Sequence, residues 1–255
     1  MAIDINNEKV RRYYHNTVLR TMAKLERVVQ KQLKPMINRQ FIDSAKLIEH
    51  GIQDIDFVVS GQRKRLRTIL RNHYRRVANV AGRQAIEAFD FPKSMGDSFW
   101  QEIDAYVREN TGVKVSTMLA TSVLVISSTI KRGVYDGLSH KEIAKRLRKK
   151  GKSISSFQAL RIARTETHGM YNAATEASVR DTGLNYKRVW SSTLDARTRR
   201  RKKGSPFDHW SVDGQERDQD EPFEVSGEKL MYPGDPRGSA GNIINCRCVL
   251  LYEKK

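Results

Sequence analysis

The sequence predicts an α+β protein: a mainly helical N-terminal body followed by a small α+β C-terminal domain with short strands and long loops. Three observations carry that prediction. Apolar residues recur at helical spacing from the N-terminus to about Arg180. After Gly183 the period shortens to alternation, and Asp-Gly, Ser-Gly, Pro-Gly and Arg-Gly pairs punctuate the chain. Four of the six prolines, Pro206, Pro222, Pro233 and Pro236, also fall in this last part. By character the chain divides at 1–110, 111–183 and 184–255, and it shows no internal repeat.

Val10, Tyr14, Val18, Leu25, Val28 and Val29 predict an amphipathic helix over about residues 7–33, which Pro35 should end or kink. Its apolar face is expected to serve assembly with a partner. Leu66, Ile69, Leu70, Tyr74, Val77 and Ala81 predict a second helix from about Gly61 to Phe89. A short helix at Phe99–Glu109 follows the Phe91-Pro92 break. Val113–Gly133 is rich in β-branched residues, yet Val115, Met118, Leu119, Leu124, Ile126 and Ile130 can line a buried helix. Ser139 and Glu142 form a capping-box pattern that opens another short helix. Ser155 or Ser156 should cap a long one from about Phe157 to Arg180, stopped at Asp181-Thr-Gly183. Tyr186–Thr193 reads as a strand with Tyr186, Arg188 and Trp190 on one side, and Cys246–Tyr252 as a second strand.

The 255 residues include 47 Lys and Arg against 29 Asp and Glu, a formal charge of +18. Such an excess fits a polyanion, most simply nucleic acid, although an anionic membrane or an acidic protein would also serve. Residues 1–110 carry 20 basic and 13 acidic side chains, and residues 111–183 carry 13 and 5, so most of the positive field precedes the C-terminal domain. No apolar run reaches the roughly 20 residues of a bilayer span, because Ser and Thr interrupt Val113–Ile130. The N-terminus has no apolar signal-peptide core. Neither a membrane partner nor secretion is expected. Two cysteines, Cys246 and Cys248, exclude a disulfide framework and suit a reducing compartment.

Arg63, Arg67, Arg71 and Arg75 lie four apart along one slowly turning stripe that spans roughly 18 Å of helix. A solvated helix face explains such a stripe by itself. Two further clusters, Lys145 to Lys150 with Arg148, Lys149 and Lys150, and the run Arg199, Arg200, Arg201, Lys202, Lys203, favour phosphate contact. That contact should ignore sequence, because nothing resembles a base-reading motif.

Glu166 and Arg164 are two residues apart and face different sides of their helix, a poor arrangement for a shared active site. A buried anchor between helix and C-terminal domain is the better reading. Cys246 and Cys248 share a face if extended, so a disulfide between them would be badly strained. With His209 they leave a tetrahedral ion one protein ligand short, and packed, inert thiols are expected. A Cys, His209 and Asp213 nucleophile set can be drawn but is unspecific. The turns at Asp213-Gly214 and Tyr232–Pro236 have no separate function assigned to them.

In order along the chain stand Ile162-Ala-Arg-Thr-Glu-Thr167, Asn172-Ala-Ala, Trp190, Asp195-Ala-Arg-Thr-Arg199, His209, Asp213-Gly-Gln215, Tyr232-Pro-Gly-Asp-Pro236 and Asn245-Cys-Arg-Cys248. This succession resembles the Mu F-like head morphogenesis family, the minor capsid proteins of tailed bacteriophages, over about residues 120–255. The resemblance implies structural roles for Arg164, Glu166, Trp190, Asp195, Arg197, His209, Asp213, Gly214, Cys246 and Cys248. It implies a virion protein of the head interior or portal vertex, made in the host cytoplasm. Portal protein, major capsid protein and double-stranded DNA would be its partners. Some relatives carry extra Cys or His residues suggesting a metal site, where this chain has Arg199 and Ile243, and the stretch Arg199–Asp208 is lengthened. No metal, no other cofactor, no small-molecule substrate and no enzymatic activity are therefore expected. The alternative is a nuclease or toxin-like hydrolase using His209, Glu166 or Cys248, against which no paired carboxylates at metal spacing and no nucleophile motif are found.

Overall fold

A computed structural model describes residues 3–52, 54–92, 95–202 and 205–255. It is an α+β protein, as the periodicities predict. In order come α1 (Glu8–Glu49), α2 (Asp56–Ser60), α3 (Arg63–Ala88), α4 (Asp97–Tyr135), α5 (His140–Arg180), β1 (Tyr186–Ser191), β2 (Glu216–Asp218), β3 (Phe223–Val225), β4 (Glu228–Leu230), α6 (Ala240–Ile243) and β5 (Val249–Lys254).

Several helices run longer than the sequence predicts or join into one, and the changes have physical causes. Pro35 lies inside α1, which continues to Glu49. An interior proline costs about 3 kcal/mol. Beyond it, however, Met36, Ile37, Phe41, Ala45 and Ile48 are all buried, and each large apolar side chain contributes about 1.5–3 kcal/mol. The segments expected at Phe99–Glu109 and Val113–Gly133 are one helix, α4. The two expected between Ser139 and Arg180 also join, so Ser155 is a buried helical residue rather than a cap. Gly151, inside α5, is a point of close packing: a Cβ there would stand 2.5 Å from Phe41 Cβ.

The capping box is formed. Ser139 N–H donates to Glu142 Oε2 at 2.8 Å, and Glu142 N–H donates to Ser139 Oγ at 3.4 Å. The α5 stop is also as read, with Gly183 at φ +70° and its N–H on Arg180 O. One expectation fails: α4 contains a stretch long and apolar enough to cross a membrane, since its Ser and Thr residues dilute the apolar run too little.

Contacts divide the chain into two compact units. One comprises residues 27–72 and 107–163, and its regular elements among the described residues are all helices. Its core holds Leu33, Phe41, Leu66, Leu70, Val115, Ile126 and Leu147. Gly133 lets Ile143 approach, where a Cβ would meet Ile143 Cγ1 at 2.6 Å.

The other unit comprises residues 1–26, 73–106 and 164–255. It contains a three-stranded antiparallel sheet in the order β2-β1-β5, with Arg188 opposite Tyr252 and Trp190 opposite Leu250. A separate hairpin pairs β3 with β4 through Ser226 and Gly227, both at positive φ as a two-residue type I′ loop requires. Edge-to-face aromatic contacts run through the core from Tyr14 to Phe89, Tyr252, Tyr186 and Phe91, with centroids 5.0 to 6.4 Å apart.

The apolar face of α1 is buried within the chain: Tyr14, Val18, Leu25 and Val29 are each at most 7% exposed. It is not the free partner surface that amphipathicity suggests. The second predicted strand also shifts, because β5 starts at Val249 and both cysteines lie just before it, outside the strand.

Candidate functional site

The family-motif residues converge on the C-terminal half of α5 and the sheet beside it. Along α5, Thr165, His168, Asn172 and Glu176 fall three to four residues apart and so share one face. Together they hold the C-terminal segment at several points. Asn245 N–H donates to Thr165 Oγ1 at 3.2 Å. His168 Nε2 lies 2.6 Å from Cys248 O, a carbonyl that can only accept, so Nε2 carries the proton. Asn172 donates to the same carbonyl at 3.3 Å and accepts from Leu250 N–H at 3.2 Å. Glu176 accepts from Tyr186 Oη at 3.0 Å and from Tyr252 Oη at 3.2 Å. Two members of this polar stripe, His168 and Glu176, fall outside the motifs quoted from the sequence, and their helical spacing from Thr165 and Asn172 is the signal that could have found them.

Arg188, on β1, is fully buried; both Nη nitrogens donate to carbonyls, while its Nε finds no hydrogen-bond partner among the described residues. Its Nη1 donates to Met231 O at 2.9 Å, and its Nη2 to Asp218 O at 2.8 Å and to Glu221 O. Glu176 Oε1 lies 3.5 Å from Nη1. Burial pushes the Glu176 carboxyl up, while Arg188 and Arg180 pull it back.

Glu166 and Arg164 separate as their spacing predicts. Glu166 is buried and accepts from Tyr74 Oη on α3 at 2.5 Å, so it anchors α5 to a helix. Thr165, His168, Asn172 and Glu176 tie α5 to the C-terminal segment. Arg164 is half-exposed beside Glu26, at 3.7 Å.

Asp195 opens a turn, accepting from Arg197 N–H at 2.9 Å, while Arg197 itself points to solvent. Asp195 also takes both Arg247 nitrogens, at 2.7 and 2.5 Å. The Arg247 guanidinium holds the Asp195 carboxyl far below its usual range. Asp213 accepts from Ser192 N–H at 2.7 Å, and Gly214, at φ +78°, donates to Trp190 O.

Between these turns His209, Cys246 and Cys248 meet, all three buried. His209 Nδ1 lies 3.4 Å from Cys246 Sγ and 3.5 Å from Cys248 Sγ. His209 Nε2 lies 3.1 Å from Asn242 Oδ1. The loop from Arg199 to Asp208 does not displace the histidine, because Arg199 O accepts the N–H groups of both His209 and Trp210. Burial raises both thiols. For Cys248 the neighbouring Cys246 adds to that, whereas hydrogen bonds from Cys248 take Cys246 below the ordinary thiol range.

The basic residues divide into engaged and solvated groups. Arg63 donates to Ser116 Oγ at 2.9 Å, Arg75 pairs with Asp104 at 2.7 Å, and Arg148 is bidentate on Glu49 at 2.7 and 2.6 Å. Arg199 is half-buried and donates to Ile244 O. Arg200 is exposed and lies over the Trp210 ring. Arg67, Arg71, Lys149, Lys150, Arg201 and Lys202 are exposed. Lys203 lies outside the described residues.

The pattern of the family described as Phage Mu protein F like protein matches residues 125–251, from within α4 to β5. The chain belongs to this family. Two relatives extend the comparison. The Minor head protein GP7 of Bacillus phage SPP1 is 24% identical over 275 aligned positions, covering 97% of this chain and 86% of that protein. The NAD(+)--arginine ADP-ribosyltransferase EFV of Enterococcus faecalis is 33% identical over 129 residues, which is 49% of this chain. This chain spans only about a quarter of that transferase's length. No solved structure matches the chain.

Proposed function

We propose that this Mu F-like protein is a minor head component of a tailed phage, contacts the portal and the major capsid protein, and binds packaged DNA without sequence preference. The observation that carries the reading is similarity to a minor head protein along 97% of the chain. The DNA part rests on charge: a net +18, with Arg67, Arg71, Lys149, Lys150, Arg201 and Lys202 facing solvent. Arg148 and Arg199 are already engaged by Glu49 and Ile244 O and contribute less to such a surface. Because the apolar face of α1 is consumed internally, contact with portal and capsid is assigned to polar, exposed surface.

We read the protein as non-enzymatic. His168, Asn172, Glu176 and Asp195, the side chains that could serve chemistry, are spent on backbone, tyrosine and arginine partners. Similarity to an ADP-ribosyltransferase favours transfer from NAD as the competing reading, though only a quarter of that protein is matched.

Mass spectrometry of purified particles, with and without DNA, tests the assignment: the protein should be a low-copy head component. Absence from mature and immature heads would refute it. For DNA, neutralising about six phosphates predicts a slope of log affinity against log salt of roughly −5. Arg67→Glu with Arg71→Glu should weaken binding equally on unrelated sequences. ADP-ribosylation of arginine by the purified chain with labelled NAD would replace the non-enzymatic reading.

A further inference from the structure

We propose that His209, Cys246 and Cys248 form a zinc site, with Zn²⁺ held by both thiolates and by Nδ1 of His209. Four observations carry this beyond the inert thiols that the sequence predicts.

The first is the donor set. Two sulfurs and one imidazole nitrogen lie within 4.8 Å of one another, all buried. Such soft donors select zinc over the oxygen-seeking Mg²⁺ and Ca²⁺.

The second is the spacing. With Zn–S near 2.3 Å and Zn–N near 2.0–2.1 Å, the S···N edge of a tetrahedron is about 3.6 Å. The two edges here are 3.4 and 3.5 Å. Two thiols cannot both make good S–H···N bonds to the single lone pair of Nδ1, whereas one cation satisfies all three atoms.

The third is the tautomer. Asn242 Nδ2 donates to Val225 O at 3.2 Å, which turns Asn242 Oδ1 toward the histidine. His209 Nε2 therefore carries the proton, and Nδ1 presents its lone pair to the sulfurs. A ligating histidine whose other nitrogen donates to a fixed oxygen is the usual outer shell of a zinc site.

The fourth is the support behind each ligand. Asp208 Oδ1 accepts from Trp210 and Ser211 N–H groups and fixes the turn that aims His209. His168 and Asn172 hold Cys248 O, and Arg247, between the cysteines, is clamped by Asp195. Ser192 Oγ, 3.4 Å from Cys248 Sγ, or a water would complete the coordination. Any thiol still protonated gives up its proton on binding, so the two negative sulfurs balance the ion's charge. Enclosed in this way, the ion would be a staple between the His209 turn and the lead-in to β5, with no route for substrate.

The test uses the full chain purified from cells without chelator. Elemental analysis should find one zinc per chain, and Co²⁺ added to stripped protein should produce a thiolate-to-cobalt charge-transfer band that zinc displaces. The double variant Cys246→Ser, Cys248→Ser should carry no zinc. Because that variant could also fail to fold, Asn242→Leu provides a second probe with all three ligands intact, and its zinc affinity should fall by about 10–100-fold. Zinc-free protein that also gives no cobalt band would overturn the site, as would zinc retained undiminished by the folded double-serine variant.

Discussion

Three buried histidines should make the unit that contains the sheet acid-labile well above the range where carboxylates titrate. His15, His73 and His168 all belong to that unit, and burial lowers each of them to about 4. Nearby cations reinforce the effect: Arg12, Arg247 and Arg11 at His15, and Arg76 at His73. A histidine depressed on folding contributes stability that is complete above its unfolded value near 6.5 and is lost as pH falls toward the folded value. Between pH 7 and pH 5 each should therefore cost about 2 kcal/mol, and the three together about 5 kcal/mol. For a protein of this size that corresponds to a drop of roughly 10–20 °C in the unfolding temperature. Glu26, Glu102 and Glu176 act in the opposite sense, since burial raises them and they gain stability as pH falls through their folded values. Single variants separate the two contributions. His73→Gln and His168→Gln should each shrink the pH 7 to 5 loss by about 2 kcal/mol, measured by urea unfolding at both pH values. An unchanged loss in both variants would refute the reasoning, because the proton uptake would then lie elsewhere.

Arg188→Leu should cost about 3–5 kcal/mol in urea unfolding, since it removes one of the two arginines beside the buried Glu176 carboxylate and the donor to three carbonyls; a cost under about 1 kcal/mol would mean that the pocket repacks or hydrates. Gly169→Ala should cost about 1–3 kcal/mol, because its Cβ would stand 2.9 Å from Gly234 O and 3.3 Å from Tyr106 Oη. The same substitution at Gly214, where nothing lies within 4 Å, should cost only the strain of φ +78°, about 1 kcal/mol.

How much of this was legible in the sequence depends on whether the deciding interaction is local. The α5 capping box, the Gly183 stop and the burial of Tyr186, Arg188 and Trp190 on β1 all follow from residues a few positions apart. Pro35 does not end its helix, because its cost is offset by the burial of the apolar residues beyond it against distant partners. The candidate site was legible as a list of residues and not as an arrangement. Arg247 sits between the cysteines in sequence, yet its partner Asp195 is 52 positions away. His209 reaches the sulfurs across 37 and 39 positions, and the intervening loop gives no spacing rule that could have placed it.

The buried polar stripe of α5 gains little net stability, since each of its hydrogen bonds is worth only about 1 kcal/mol after desolvation. Its consequence is specificity. A one-residue slip of β5 would leave Asn172 without Leu250 N–H and His168 without Cys248 O, exposing buried donors and acceptors at about 1–3 kcal/mol apiece. Slipping would also turn Tyr252 away from Glu176 and reverse which side chains enter the core. Register here is thus set by polar bonds from a helix as much as by the apolar face of the strand. That register is also what brings Cys246 and Cys248 together on His209, so the helix motif Arg-Thr-Glu-Thr-His and the terminal Cys-Arg-Cys form one physical device, although 77 residues separate His168 from Cys246 and neither motif reads as functional alone.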